Sequence, residues 1–300
     1  MYNLEENFMI ILAIVKRCLH SVLDGNDNLP KPGPAPHFSD AEVIALSLFA
    51  ESQGIDSENH LFALLMGFSS FKHRIERSRY NRRRRYLHAV VERVRLFLVR
   101  QMVSDENVFL IDSMPLEICK FSRAKRLRIC KENVDTAPSF GGCAAQLRTY
   151  LGYKLHSVTT LSGVVTHFAI TKANVADIHF LKHIKPFYSG CLLLGDRGYL
   201  SNPLQQELFE EHRILLNTPM RRNQINYRTQ APVFRKSRKR IETLFSQLQG
   251  QFNSQLNYAK TFQGFMTRIH AKITALTLSQ FVNVVEFNKP MNQIKYAFFN

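Results

Sequence analysis

Asn107-Val108-Phe109-Leu110-Ile111-Asp112 and Cys191-Leu192-Leu193-Leu194-Gly195-Asp196 share one form: a short apolar run that ends on an aspartate. Runs this short, bounded by polar residues and glycine, read as buried strands rather than helices. A carboxylate directly after such a strand must be solvated, paired or bound to metal, because burying a bare charge is strongly unfavourable. Gly195 before the second aspartate allows another backbone or a ligand to come close.

Working outward from these two runs, Tyr153 to Thr160 alternates as a strand does, Ser162-Gly163 signals a turn, and Val164 to Ile170 returns, which predicts a hairpin. Helical patterns cover Asp177 to Ile184, Leu204 to Glu211, Arg238 to Phe252 and Phe262 to Val285, with a further strand at Ile214-Leu215-Leu216. Strands interleaved with helices predict an α/β domain, a mixed sheet with flanking helices, over residues 105–290.

Residues 1–104 read as all-α. Glu5 to Leu23 has helical spacing, and Leu29 to Pro36 is a proline-rich linker without the donors a helix needs. Ser39 with Glu42 forms a capping box before a helix that ends at Gly54, and Asp56 and Ser57 can cap the next. Two short helices across a glycine turn resemble a helix-turn-helix. A third helix is expected from about Arg79 to Val99. Its approach and face carry Lys72, Arg74, Arg77, Arg79, Arg82, Arg83, Arg84, Arg85, Arg93, Arg95 and Arg100 against Glu76 and Glu92. Consecutive arginines repel one another unless an anion offsets them. Phosphate contact along this helix follows.

The net charge of +16 extends that inference to the whole chain, since a basic surface attracts polyanions. Apolar residues make up 45 %, which excludes wholesale disorder. Phe8 to Val15 is far short of the roughly 20 residues of a spanning helix, follows Glu5 and Glu6, and lacks a small-residue cleavage site. A cytoplasmic protein with no membrane partner is expected. Five cysteines without a Cys-x-x-Cys pair do not make a disulfide framework, and Cys119, Cys130 and Cys143 fit no zinc-knuckle spacing. His179 and His183 lack the acid of a His-Glu-x-x-His site. No glycine loop cradles a nucleotide, and no tyrosine sits among the spaced Arg and His that a tyrosine recombinase uses.

A third acid, Glu242, lies at the edge of the apolar face formed by Ile241, Leu244, Phe245, Leu248 and Phe252. Arg238 precedes it by one turn, in the weaker orientation for a helix ion pair. Three acids from separate elements suit two hard cations about 4 Å apart, which can activate water and stabilise a leaving alkoxide. From the residues alone, a turn aspartate, a helix cap and a solvated glutamate stay open beside that reading.

Five motifs in order carry a resemblance: Phe109-Leu110-Ile111-Asp112-Ser113, Gly152-Tyr153-Lys154-Leu155-His156, Thr171-Lys172-Ala173-Asn174-Val175-Ala176-Asp177, Leu194-Gly195-Asp196-Arg197-Gly198-Tyr199, and Arg238-Lys239-Arg240-Ile241-Glu242-Thr243-Leu244-Phe245. Ser78-Arg79-Tyr80-Asn81-Arg82-Arg83 precedes them. The chain resembles bacterial insertion-sequence transposases of the DDE class, whose catalytic core is RNase H-like. The resemblance implies that Asp112, Asp196 and Glu242 are catalytic and hold Mg2+ or Mn2+, two ions per site. It implies hydrolysis at the ends of a mobile element and attack of the freed 3′-hydroxyl on target DNA. The partners implied are double-stranded DNA, as terminal inverted repeats and target, and a second copy of the chain in a synaptic homodimer. Residues 1–104 become the DNA-binding region. DNA contacts are expected from Arg79, Arg82, Arg83, Arg84, Arg85, Lys154, His156, Arg197, Arg235, Arg238 and Lys239, with the basic stretches Arg123 to Lys131 and Arg221 to Arg240 along the DNA path. Many relatives carry Tyr three residues before the Arg and Lys seven after the Glu; this chain has Arg235 and Gln249 there. The alternatives are an RNase H-like nuclease or resolvase, and a non-catalytic DNA-binding regulator.

Overall fold

The computed structural model describes residues 4–69, 71, 73–143, 147–220, 222–223 and 227–298. Lys72 and Arg221, two of the cations expected at DNA, lie outside the described residues. The chain forms two compact units, Met1–Met102 with Leu248–Asn300, and Val103–Gln247.

The first unit is helical among its described residues: α1 (Leu4–Leu19), α2 (Asp40–Ser52), α3 (Glu58–Leu65), α4 (Arg77–Tyr86) and α5 (His88–Met102). The Ser39–Glu42 capping box forms, and Ser57 caps α3 by accepting from the His60 N–H. Residues 40–51 of α2 are buried except Glu42, so this helix is apolar on all sides and takes the centre.

Two expectations are corrected here. The single helix expected from Arg79 to Val99 is two helices, parted at Leu87, whose φ −83° and ψ 5° leave helical values. The α4 segment buries Tyr80 and Arg84 only, whereas α5 buries Val91, Val94, Leu98 and Val99. Leu87, 1 % exposed, turns the chain between those two faces. The second correction concerns the C-terminal helix, assigned by sequence to the α/β domain. The helix found there (Phe262–Phe281) joins the first unit and packs on α2 and α5. It is buried without interruption from Ala271 to Phe281. A helix so covered needs apolar neighbours on every side, and α2 and α5 supply them. Each fully buried Leu, Ile or Phe contributes about 1.5–3 kcal/mol.

The second unit is built on a six-stranded mixed sheet: β1 (Val108–Glu117), β2 (Ser139–Cys143), β3 (Arg148–Thr160), β4 (Val165–Lys172), β5 (Leu192–Leu194) and β6 (Leu215–Asn217). The path runs β2-β3-β1-β5-β6, with β4 also paired to β3. The predicted hairpin is β3–β4, turning through Gly163 at φ +94°. Pairing is antiparallel within β1–β4 and parallel for β1–β5 and β5–β6. The sequence showed no sign of β2, because Phe140-Gly141-Gly142 does not alternate. Gly141 is required there: a Cβ would sit 2.4 Å from the Ala173 carbonyl oxygen.

Helices α6 (Phe180–Ile184), α7 (Asn202–His212) and α8 (Pro232–Gly250) follow, so the C-terminal helix above is α9. Phe109, Ile111, Phe180, Leu193, Leu208 and Ile214 belong to one buried cluster. No helix among the described residues is long and apolar enough to cross a membrane.

Candidate active site

Strand register brings the two aspartates together. Parallel pairing of β1 with β5 ends at Leu110 opposite Leu194. Asp112 and Asp196 stand two residues further along each chain, close enough for the Asp196 charge to act on Asp112. The structure differs from expectation in one detail. Asp112 lies inside β1, paired with Ser157, rather than after it. The strand continues because β3 supports it as far as Glu117, while β5 stops. Asp112 therefore emerges where β1 loses its second neighbour.

Asp112 is half-buried and accepts a 2.8 Å hydrogen bond from the Ser113 N–H. Burial pushes its carboxyl up to about 7, and the charges of Asp196 and Asp177 add to the rise; the Ser113 N–H and the Arg238 guanidinium oppose it. Asp196 caps a short 3-10 turn, Arg197–Tyr199, by accepting from the Gly198 N–H at 2.8 Å. Gly195 is tightly enclosed: a Cβ there would lie 3.1 Å from Ile111 Cγ2 and 3.3 Å from the Tyr199 ring.

A third aspartate joins them. A Cβ on Gly198 would lie 3.0 Å from Asp196 Oδ1 and 3.1 Å from Asp177 Oδ2, so both carboxylates flank the same glycine. Asp177 accepts from Ser113 Oγ at 3.1 Å and from Lys154 Nζ at 3.0 Å. Sequence reasoning passed over it, although it closes the motif Thr171 to Asp177. An aspartate that opens a helical segment carries no mark of its own, and the fold alone returns it to Asp112. Tyr199 is buried beneath; burial first, then the three aspartates, hold its phenol well above the usual range, so it stays protonated.

The expected third acid is elsewhere. Glu242 is exposed on α8, while its neighbours Ile241, Leu244, Phe245 and Leu248 are buried. Among the described residues no group of three or more His, Cys, Asp or Glu side chains is placed to hold a metal ion. Arg238, one turn before Glu242, does act on Asp112.

The expected DNA contacts divide. Arg79, Arg82, Arg197, Arg235 and Lys239 are exposed. Arg83 donates to Asp40 Oδ1 at 2.7 Å and to the Phe38 carbonyl, and Arg85 Nε donates to the Asn81 carbonyl at 3.3 Å. Arg84 is 6 % exposed and donates to Glu51 at 2.9 Å, a scaffold position rather than a free phosphate ligand. Lys154 is held by Asp177 and the Val175 carbonyl. The DNA contact expected at His156 is corrected: its ring is 0 % exposed, stacks on Phe180 at 4.8 Å and meets Thr171 Oγ1 at 2.9 Å. Burial lowers it to about 4, so it is neutral at pH 7.

Asp196 opens onto a cavity of about 400 Å³ lined by Arg197, Tyr227, Arg228, Arg235 and Arg238 among others. Four guanidinium groups around one carboxylate attract an anionic substrate to the acid cluster. The donor set, carboxylate oxygens with a burial-raised Asp112, fits a hard divalent cation, which one or two carboxylates and substrate phosphates commonly hold.

No curated protein and no solved structure matches the chain. The family model of the transposase DDE domain matches residues 103–278, a span containing every described strand and Asp112, Asp177, Asp196 and Glu242. With more than half of its length matched, the chain belongs to the family defined by the transposase DDE domain.

Proposed function

We propose that this transposase cuts DNA strands at the ends of its element and joins them to target DNA on Asp112 and Asp196, with Mg2+ or Mn2+ as cofactor, in an RNase H-like core. The observation that carries the reading is the adjacency of two half-buried aspartates, Asp112 within β1 and Asp196 just past β5, with Asp196 lining an arginine-rich cavity. A bound divalent ion supplies Lewis-acid stabilisation of the phosphoryl and leaving oxygens. Asp112 and Asp196 would hold it. Arg197, Arg228, Arg235 and Arg238 orient the phosphodiester and neutralise its charge. Asp177 fixes Lys154 and Ser113 beside the acids. Glu242, one turn after Arg238 on α8, would be the third ligand. Residues 1–104 supply DNA binding to the inverted repeats, and a homodimer holds two ends together.

The experiment is cleavage of a terminal inverted-repeat duplex with magnesium, followed by capture of the new 3′-end by a plasmid. Wild-type chain yields nicked and joined products. Asp196→Ala yields neither, and unchanged activity in that variant would overturn the assignment.

A further inference from the structure

Away from the acids, the sheet unit holds two phenylalanine rings out in solvent and in contact with each other. Phe121 is 60 % exposed and Phe140 50 %, and their centroids lie 5.9 Å apart in an edge-to-face pair. A single exposed ring is ordinary on a protein surface, but two in mutual contact form a patch that folding has left uncovered.

Local structure explains how they are held. Phe121 opens a short 3-10 helix, Phe121–Arg126, in which the aromatic ring is followed by Arg123, Lys125 and Arg126. Ala124 is buried and anchors this turn, while Phe121 and the three cations stand in solvent. Phe140 lies on β2, the terminal strand of the sheet order, opposite Leu151 of β3. The Leu151 carbonyl also accepts from the Ile118 N–H at 3.1 Å, which sets Phe140 level with the far end of β1. That end, Glu117, is five residues beyond Asp112 on the same strand, roughly 16 Å at the usual rise. Glu117 is itself paired with Arg148, so its charge is already met.

A second copy of this chain is a poor cover for the patch, since it would bring a net charge of +16 against these cations. A phosphate chain suits the cations, and a base suits the rings: every base has a π-face, and aromatic rings along a cationic track bind single strands by stacking. Bases inside a duplex keep their faces stacked on their neighbours, so such rings select an unpaired strand.

We propose that Phe121 and Phe140 form a stacking platform for unpaired bases of the DNA strand that leaves the acid site, with Arg123, Lys125 and Arg126 on its phosphates. The inference rests on the strand-cutting reading and adds to it a ligand class, single-stranded DNA, and the residues that recognise it.

The test is fluorescence anisotropy of the full chain, in EDTA, on a labelled thymidine oligonucleotide and on a labelled duplex. Phe121→Ala and Phe140→Ala each weaken single-strand binding about tenfold or more, without changing its salt dependence, and leave duplex binding as it was. Phe121→Tyr keeps the affinity. Arg123→Ala instead lowers the slope of log K against log salt by about 0.7 on the single strand. Phe187→Ala, the loss of another exposed ring in the same unit, has no effect. Wild-type single-strand affinity in Phe121→Ala overturns the proposal, as does an equal loss on single strand and duplex, or an equal loss in Phe187→Ala. So does a Phe121→Ala chain that sediments as a monomer where the wild type is a dimer, which would assign the patch to a second copy. Because binding is read without metal, a platform that fails while cleavage is intact refutes this inference alone. A platform that holds while Asp196→Ala still cuts refutes the catalytic assignment alone.

Discussion

Both units bury charge, and they do so in opposite ways. In the helical unit, Glu51 is matched by Arg84 and Lys272, and Asp40 by Arg83 at 2.7 Å and Lys31 at 3.1 Å. Hydrogen bonds from those partners hold the Asp40 carboxyl below its usual range, although burial alone would raise it. In the sheet unit, Asp112 meets two further aspartates and is pushed up to about 7. Matched charges fix a scaffold. A cluster whose negative charge Lys154 and Arg238 offset only in part stores unfavourable energy that a cation can relieve, and such clusters mark sites of chemistry.

Asp112→Asn breaks the comparison most strongly. Losing a ligand to the ion removes several kcal/mol of transition-state stabilisation, so cleavage rates fall about 1,000-fold. The same variant gains stability without metal. The folded carboxyl titrates near 7 and the unfolded one near 3.8. Its favourable contribution is therefore complete below pH 4 and is lost as pH rises through 7. At pH 8 the asparagine chain is more stable by up to about 4 kcal/mol in urea titration. A wild-type melt that does not change between pH 5 and 8 in EDTA contradicts this.

Glu51→Ala shows the opposite sign. It removes the nearest carboxylate of Arg84 and Lys272, leaving them Glu58 at 3.9 Å and Asp56 at 3.5 Å, and removing one partner of a buried pair costs about 3–5 kcal/mol. Urea unfolding should register the loss at neutral pH, with or without magnesium.

His270, half-buried in the helical unit, gives a smaller effect. Burial lowers it to about 4, with Glu92 opposing and Arg95 and His88 reinforcing the shift. Its folded value is depressed, so its contribution is present above pH 6.5 and is lost as pH falls toward 4. Over that interval the loss approaches about 3 kcal/mol, and His270→Gln flattens the acid limb of the stability curve.

Glu242→Gln is the finest probe. On an exposed residue it alters stability by no more than about 0.5 kcal/mol. Cleavage falling as far as in Asp112→Asn shows that Glu242 reaches the site with DNA bound; full activity removes it from the acid set.

Much was legible because apolar periodicity is local. The runs Val108 to Ile111 and Leu192 to Leu194, the hairpin about Gly163 and the Ser39 cap follow from neighbours a few residues apart. The break at Leu87 and strand β2 were not legible. The first depends on which face each helical segment buries, and the second on Gly141 reaching the Ala173 carbonyl.

By itself, the sequence determined that two strand-end aspartates exist, that the chain is strongly basic, and that strands follow helices, since composition and short-range pattern carry all three. Tertiary structure alone decided which groups meet. The register of β1 on β5 sets Asp112 beside Asp196, and a loop returns Asp177 to them. Burial removes His156 from any surface, and the need to cover α9 on every side draws the end of the chain into the helical unit. Contacts between residues far apart in the chain are set by packing and desolvation, which no local pattern encodes.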